Sequence, residues 1–209
     1  MNVRLKVIAI TGSTLFSLLM AAELTYQSSE LAYQVPEERA ERLFFQPLGE
    51  FPEAAAVELK EYFEGKFEST LGLRVTILPT RVLPLHVHDP GHRALAAEAV
   101  LAFIRSENPI IAADAHAVVI GLTTVDLYAP RMGYVWAWRG GRFAVVSTEM
   151  FGPLESTPAG DLARARLRKM VAKNVGILYY HKSTNNDSKS VLYHWLSSVR
   201  DIDRAAERF

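Results

Sequence analysis

The 209-residue chain contains no cysteine. That excludes disulfide cross-links, thiolate metal ligands, thiol nucleophiles and a lipid anchor attached through cysteine. Histidine is scarce as well: there are six, and His181 alone lies between His116 and His194. Two imidazoles one helical turn apart, the usual start of a catalytic zinc site, cannot be found in that stretch. Charge of either sign is not in excess, since 23 basic and 23 acidic residues cancel and are interspersed. The basic patch that nucleic acid requires is missing, and no nucleic-acid partner is expected. No apolar run reaches the ~20 residues of a membrane-spanning helix.

What remains is an ordinary globular composition, 49% hydrophobic and 22% charged, with enough material for one good core. The N-terminus stands apart from it. Arg4 and Lys6 precede Val7 to Ala22, sixteen residues without a charge that end in the small pair Ala21-Ala22. This is the layout of a secretory signal, and it makes the expected location exported or periplasmic. Cleavage after Ala22 would place Met20 where a small residue is preferred, so an uncleaved membrane anchor is the alternative. A buried strand and core helix within residues 1–22 is the reading that dispenses with export. Residues 23–50 are polar and irregular, with Pro36 and Pro47, and read as a linker or surface arm. The folded domain is expected over residues 51–209.

Within that domain, Pro52 and Glu53 start a helix whose apolar stripe runs to about Phe67. Gly72 to Leu78 alternates as a strand, and Asp89-Pro90 opens a second helix with Ala94, Ala97, Val100, Leu101 and Ile104 on one face. Val118 to Leu122 reads as a buried strand. Tyr134 to Trp138 pairs with Arg142 to Ser147 across a Gly140-Gly141 turn. Thr157 and Pro158 start a third helix, with Leu162, Leu167, Met170, Val171, Val175 and Leu178 supplying its apolar surface. Helix-period and strand-period segments in this order predict a single α+β domain: a mixed twisted sheet of about four or five strands, flanked by helices beginning near Pro52, Pro90 and Pro158.

The block from Ala117 to Ser147 is distinctive. Gly121, Thr123, Asp126, Leu127, Tyr128 and Pro130, followed by Ala144 to Ser147, resemble the archaemetzincins, a family of zinc-dependent metallopeptidases within the metzincins. The resemblance covers about residues 72–205. It implies a metzincin-like fold and a helix carrying H-E-x-x-H-x-x-G-x-x-H, in which the histidines hold zinc and the glutamate is the general base. Matching that helix on Gly176 sets Lys173 and Asn174 at the His-Glu positions, Ile177 at the second His, Tyr180 at the turn glycine and Ser183 at the third His. Lys173 is a cation, Ile177 has no donor atom and Asn174 cannot take a proton. The four cysteines of the family's structural zinc are also absent, with Thr184, Ser190 and Phe209 near their places. The family's Met-turn reads Val191-Leu192, which keeps an apolar floor without the sulfur.

In metzincins the edge strand above the active-site helix binds an extended substrate by strand addition, which implies that neighbourhood for the hairpin ending at Ser147. Trp136 and Trp138 are expected to share one hairpin face, either as packing or as the wall of a ligand groove. Two readings of function follow. The first is an exported, non-catalytic domain that binds a peptide or protein ligand and needs no cofactor. The second is an active metal-dependent peptidase whose zinc ligands have moved, to His181 and His194 with Asp187, or to His86, His88 and His92 in the spacing H-x-H-x-x-x-H.

Overall fold

The core is built on strands that are apolar on both faces. β5 (Ala117–Thr123) and β9 (Phe143–Ser147) are buried at every position, and β1 (Arg42–Pro47) at every position after Arg42. Continuous apolar runs of this kind form parallel strands covered on both sides. In the computed structural model, which describes residues 42–67, 73–155 and 157–207, they lie side by side in a five-stranded sheet ordered β2-β1-β5-β9-β8. β1 runs parallel to β2 (Val75–Ile77) and to β5, and β5 runs parallel to β9. β8 (Ala137–Gly140) closes one edge antiparallel to β9. The strand period of two then sorts the side chains into two cores. Leu43, Phe45, Val118, Ile120, Ala144 and Val146 face one cluster with α1 (Glu53–Glu61) and α4 (Pro158–Leu178). Phe44, Val119, Phe143 and Val145 face the other with α2 (Ala97–Glu107).

A second, four-stranded sheet is ordered β3-β4-β6-β7, from β3 (His88–Asp89), β4 (Ala94–Ala96), β6 (Leu127–Ala129) and β7 (Gly133–Val135). The two remaining described α-helices are short, α3 (Pro109–Ala113) and α5 (Val199–Arg204). The expected α+β architecture is present, with β5 and β9 adjacent in the main sheet. Gly121 has a packing reason: a Cβ there would lie 2.6 Å from Ile104 Cδ1 and 3.1 Å from Leu48 Cδ1.

Four expectations are corrected. Arg42–Pro47, assigned to the surface arm, is a central strand, so folded structure begins before residue 51. The second helix begins at Ala97; Asp89-Pro90 instead makes a turn between β3 and β4, in which Gly91 N donates to Asp89 Oδ1 at 2.9 Å. The hairpin is shorter and offset: Gly140 pairs with Phe143, so Gly141-Arg142 is the turn, and Gly141 adopts φ +62°. Tyr134 and Val135 pair with β6 in the other sheet. The first helix passes at Tyr62 into a π-helical turn ending at Phe67. Residues 1–22 lie outside the described residues. Among the described residues no helix is long and apolar enough to cross a membrane.

Candidate functional site

α4 is started by Thr157, whose hydroxyl accepts from Gly160 N at 3.1 Å, with Pro158 in the first turn. Its first half is a surface of cations tied to neighbours. Arg166 makes a two-pronged pair with Asp203, both contacts at 2.8 Å, and Arg168 reaches Glu58 and Glu207. Asp203 holds the Arg166 guanidinium pKa above its ordinary value. Leu167, Met170, Val171, Val175 and Leu178 are buried as expected, but Leu162 is exposed.

The second half carries polar residues into the core. Lys173 is 6% exposed and Asn174 fully buried. Lys173 Nζ donates to the carbonyl of Tyr193 at 2.6 Å, joining α4 to the segment after residue 190. Asn174 Nδ2 donates to Met170 O at 2.7 Å, and its Oδ1 accepts from the Arg139 guanidinium on β8 at 3.3 Å. Burial, and then the nearby Arg139 charge, push the Lys173 pKa down to about 8. Arg139 was not singled out by the sequence reading. The signal that finds it is its alternation with Ala137, which points both toward the α4 side of β8.

The remaining motif positions do not converge on this point as a ligand set. Ile177 is half-buried against the apolar core and Ser183 is exposed. The left-handed residue after α4 is His181, φ +54°, one place beyond Tyr180. Val191 and Leu192 are buried, as an apolar floor requires. The loop above them is internally bonded: Asn185 N donates to Leu192 O at 3.0 Å, and Ser190 Oγ accepts from Leu192 N at 3.1 Å. Thr184 is exposed, and Phe209 lies outside the described residues.

The histidines are occupied elsewhere. His194 is exposed, with Nδ1 3.0 Å from Asn185 O, and Asp187 accepts from Lys189 N. His86 lies edge-on to Phe103, with ring centroids 6.4 Å apart. His88 lies on β3 and is exposed. His92 contacts Asp89 at 2.7 Å and stacks on Tyr128 at 3.5 Å. Among the described residues no group of three or more His, Asp or Glu is placed to hold a metal ion.

Trp136 and Trp138 do not share a face. A bend at Trp136 breaks the alternation, so Trp136 packs toward Phe151 and the α4-side core, while Trp138 packs in the α2-side core. Ser147 is buried on β9, and its N donates to Trp136 O at 2.9 Å. A groove walled by both tryptophans and Ser147 is therefore not formed. A cavity of about 390 Å³ opens beyond the carboxyl ends of β5 and β9, lined by Thr124, Thr148, Glu149 and Glu155 among others. None of the candidate site residues named from sequence lines it.

Zinc of the kind the resemblance implies does not fit the residues present: an ammonium on a carbonyl, an amide and an isoleucine provide neither imidazole nor a general base. No protein-family model and no curated protein matches the chain. Solved structures do. The archaemetzincin of Methanopyrus kandleri aligns over 84% of this chain and 92% of its own, with 24% identity and a TM-score of 0.64. The archaemetzincin of Archaeoglobus fulgidus, complexed with malonate, aligns over 80% and 94%, with 20% identity and a TM-score of 0.62. A zinc-dependent peptidase from Methanocorpusculum labreanum aligns over 80% and 95%, with 18% identity and a TM-score of 0.65. With α4 packed beneath a mixed sheet whose edge is β8, the chain has the archaemetzincin fold.

Proposed function

We propose that this chain is an exported archaemetzincin-like domain without a catalytic zinc centre, which binds an extended peptide or protein segment along β8 and does not cleave it. The observation that carries the reading is the Lys173 ammonium seated on Tyr193 O, in the half of α4 where a metallopeptidase would present ligands. A buried cation there repels a divalent ion. β8 supports the binding half. Among the described residues it is an edge strand, and the backbone groups of Ala137 and Arg139 turn away from β9, the geometry that strand addition uses.

Metal analysis of the purified protein after incubation with zinc is the direct test. The expected result is far less than one zinc per chain and no chelator-sensitive cleavage of a peptide library. Stoichiometric zinc that disappears on mutation of His181 or His194, together with peptidase activity, would install the relocated-ligand peptidase instead.

Export is tested separately. Removing residues 1–22 is expected to leave a folded domain and to abolish delivery across or to the membrane. A truncated chain that cannot fold, or a full-length chain retained in the cytosol, would remove export from the proposal.

A further inference from the structure

The cavity beyond β5 and β9 lies where the connections of the main sheet reverse. β1, β5 and β9 are parallel and end on the same side, but the chain leaves them toward different faces. After β1 it enters α1, whose Ala55, Ala56 and Leu59 pack in the α4-side core, and after β9 it reaches Phe151 in the same core. After β5 it crosses to Leu127 and Ala129 in the α2-side core. Neighbouring parallel strands whose connections part in this way open a crevice at their carboxyl ends, the place where open α/β sheets take small ligands. The cavity is that crevice: Pro52 follows β1, Thr124 follows β5, Thr148 follows β9, and all three line it. Its volume of about 390 Å³ falls within the ~300–1,000 Å³ of ligand pockets. The strand ends at its rim are tied together, since Thr148 N donates to Thr123 O at 2.9 Å and Glu149 N donates to Ser147 Oγ at 3.2 Å.

The chemistry of the lining selects the ligand. Its ionisable side chains are Glu149 and Glu155, and among the described residues neither forms an ion pair. Arg164 donates to the backbone carbonyl of Glu155 at 2.7 Å, but its ion pairs go to Glu58 and Asp161. Pro153 and Leu154 add apolar wall, and the hydroxyls of Thr124 and Thr148 can each accept from an N–H. Among the described residues no three acids or histidines converge, so a bare divalent ion lacks a ligand set.

We propose that this cavity binds an α,ω-alkyl diamine, a dication whose two ammonium groups pair with Glu149 and Glu155 while its methylenes lie against Pro153 and Leu154. None of the β8 residues lines the cavity, so the site stands independently of the proposed function. Each ammonium has three N–H donors, enough for a carboxylate and a threonine hydroxyl together. Exposed ion pairs are individually weak and screened by salt. Selectivity therefore comes from engaging both charges on one short ligand, because the second pairing is intramolecular once the first is made.

The test follows the backbone amide NMR signals of Thr124, Thr148 and Gly152 in full-length, isotopically labelled protein. The probes are 1,4-diaminobutane, 1-aminobutane, 1,4-butanediol, Nα-acetyl-lysine amide and calcium chloride. The diamine is expected to shift these signals saturably and to bind about tenfold tighter than 1-aminobutane, with no saturable shift from the diol. Glu149→Gln and Glu155→Gln, both on exposed side chains, are each expected to weaken the diamine about tenfold, and Glu98→Gln, on the exposed face of α2, to leave it unchanged. Unchanged amide signals away from the cavity separate lost binding from lost folding, and the ligand series on the parent protein decides the matter without the variants. If the diamine binds no tighter than 1-aminobutane, or if Glu98→Gln weakens it as much as Glu149→Gln, the carboxylates act only as surface charge and the site is overturned. Acetyl-lysine amide, with one ammonium, binding as tightly as the diamine would overturn the pairing at both carboxylates. Calcium that saturates the same signals and displaces the diamine would overturn the amine reading in favour of a metal site.

Discussion

Phe45→Ala is expected to lower the unfolding free energy by about 3–5 kcal/mol, read as a fall in the urea midpoint with little change in slope. Phe45 is fully buried on β1, between β2 and β5, and meets Phe63 edge-on with ring centroids 5.8 Å apart. Truncation removes the transfer free energy of a whole ring and leaves a cavity that a central strand cannot collapse to fill. It also removes an aromatic pair worth about 0.5–1.5 kcal/mol beyond its area. Against a total stability of about 5–15 kcal/mol, such a loss is large. Leu162→Ala, on the exposed face of α4, is the comparison and is expected within about 0.5 kcal/mol of the parent. Equal midpoints for the Phe45 variant and the parent would return residues 42–47 to the surface arm.

Phe45 also shows why part of the fold was not legible. Its strand has an apolar run of only three residues, Leu43-Phe44-Phe45, set between charged Glu41-Arg42 and Pro47. Its partners, Val75 to Ile77 and Ala117 to Leu122, lie far along the chain. Parallel pairing has no local turn to announce it, whereas β5 and β9 were legible from apolar runs alone. The Gly140-Gly141 turn failed for a related reason. Both glycines can enter a tight turn, and the choice of Gly141-Arg142 is made by the register of β8 on β9, which sets Gly140 opposite Phe143. At Asp89-Pro90 a helix start and a turn share the same residue chemistry. Here the Asp89 side chain closes the turn onto Gly91 N. In the candidate site, Lys173 and Asn174 could be singled out by their places in a motif. Their partners could not, because Tyr193 contributes a backbone carbonyl, which no residue type signals, and Arg139 arrives through strand register.

Lys173→Met is expected to stabilise the protein at neutral pH and to destabilise it in alkali. The fold holds the Lys173 pKa at about 8 against an ordinary value of 10.5, burial being the first cause and the Arg139 charge the second. For a cationic acid, a folded pKa below the unfolded one means that the unfolded chain binds more protons between those two values. Stability attributable to Lys173 is therefore fully present above pH 10.5, declines as pH falls, and is lost below about pH 8, where both states are protonated. The displacement corresponds to about 3 kcal/mol at most. Methionine of similar length removes that cost, but it leaves the Tyr193 carbonyl without its donor at a cost of about 1–3 kcal/mol. The balance is a gain of about 1 kcal/mol near pH 7 and a loss of similar size near pH 10.5, with the difference changing sign in between. Lys169, whose pKa burial also lowers, is unchanged in the variant, so its contribution cancels when parent and variant are compared at each pH. Urea unfolding of both proteins from pH 7 to 10.5 measures the crossing. A difference that stays constant across that range would mean that Lys173 titrates as in the unfolded chain, and that its ammonium is not held in a desolvated site.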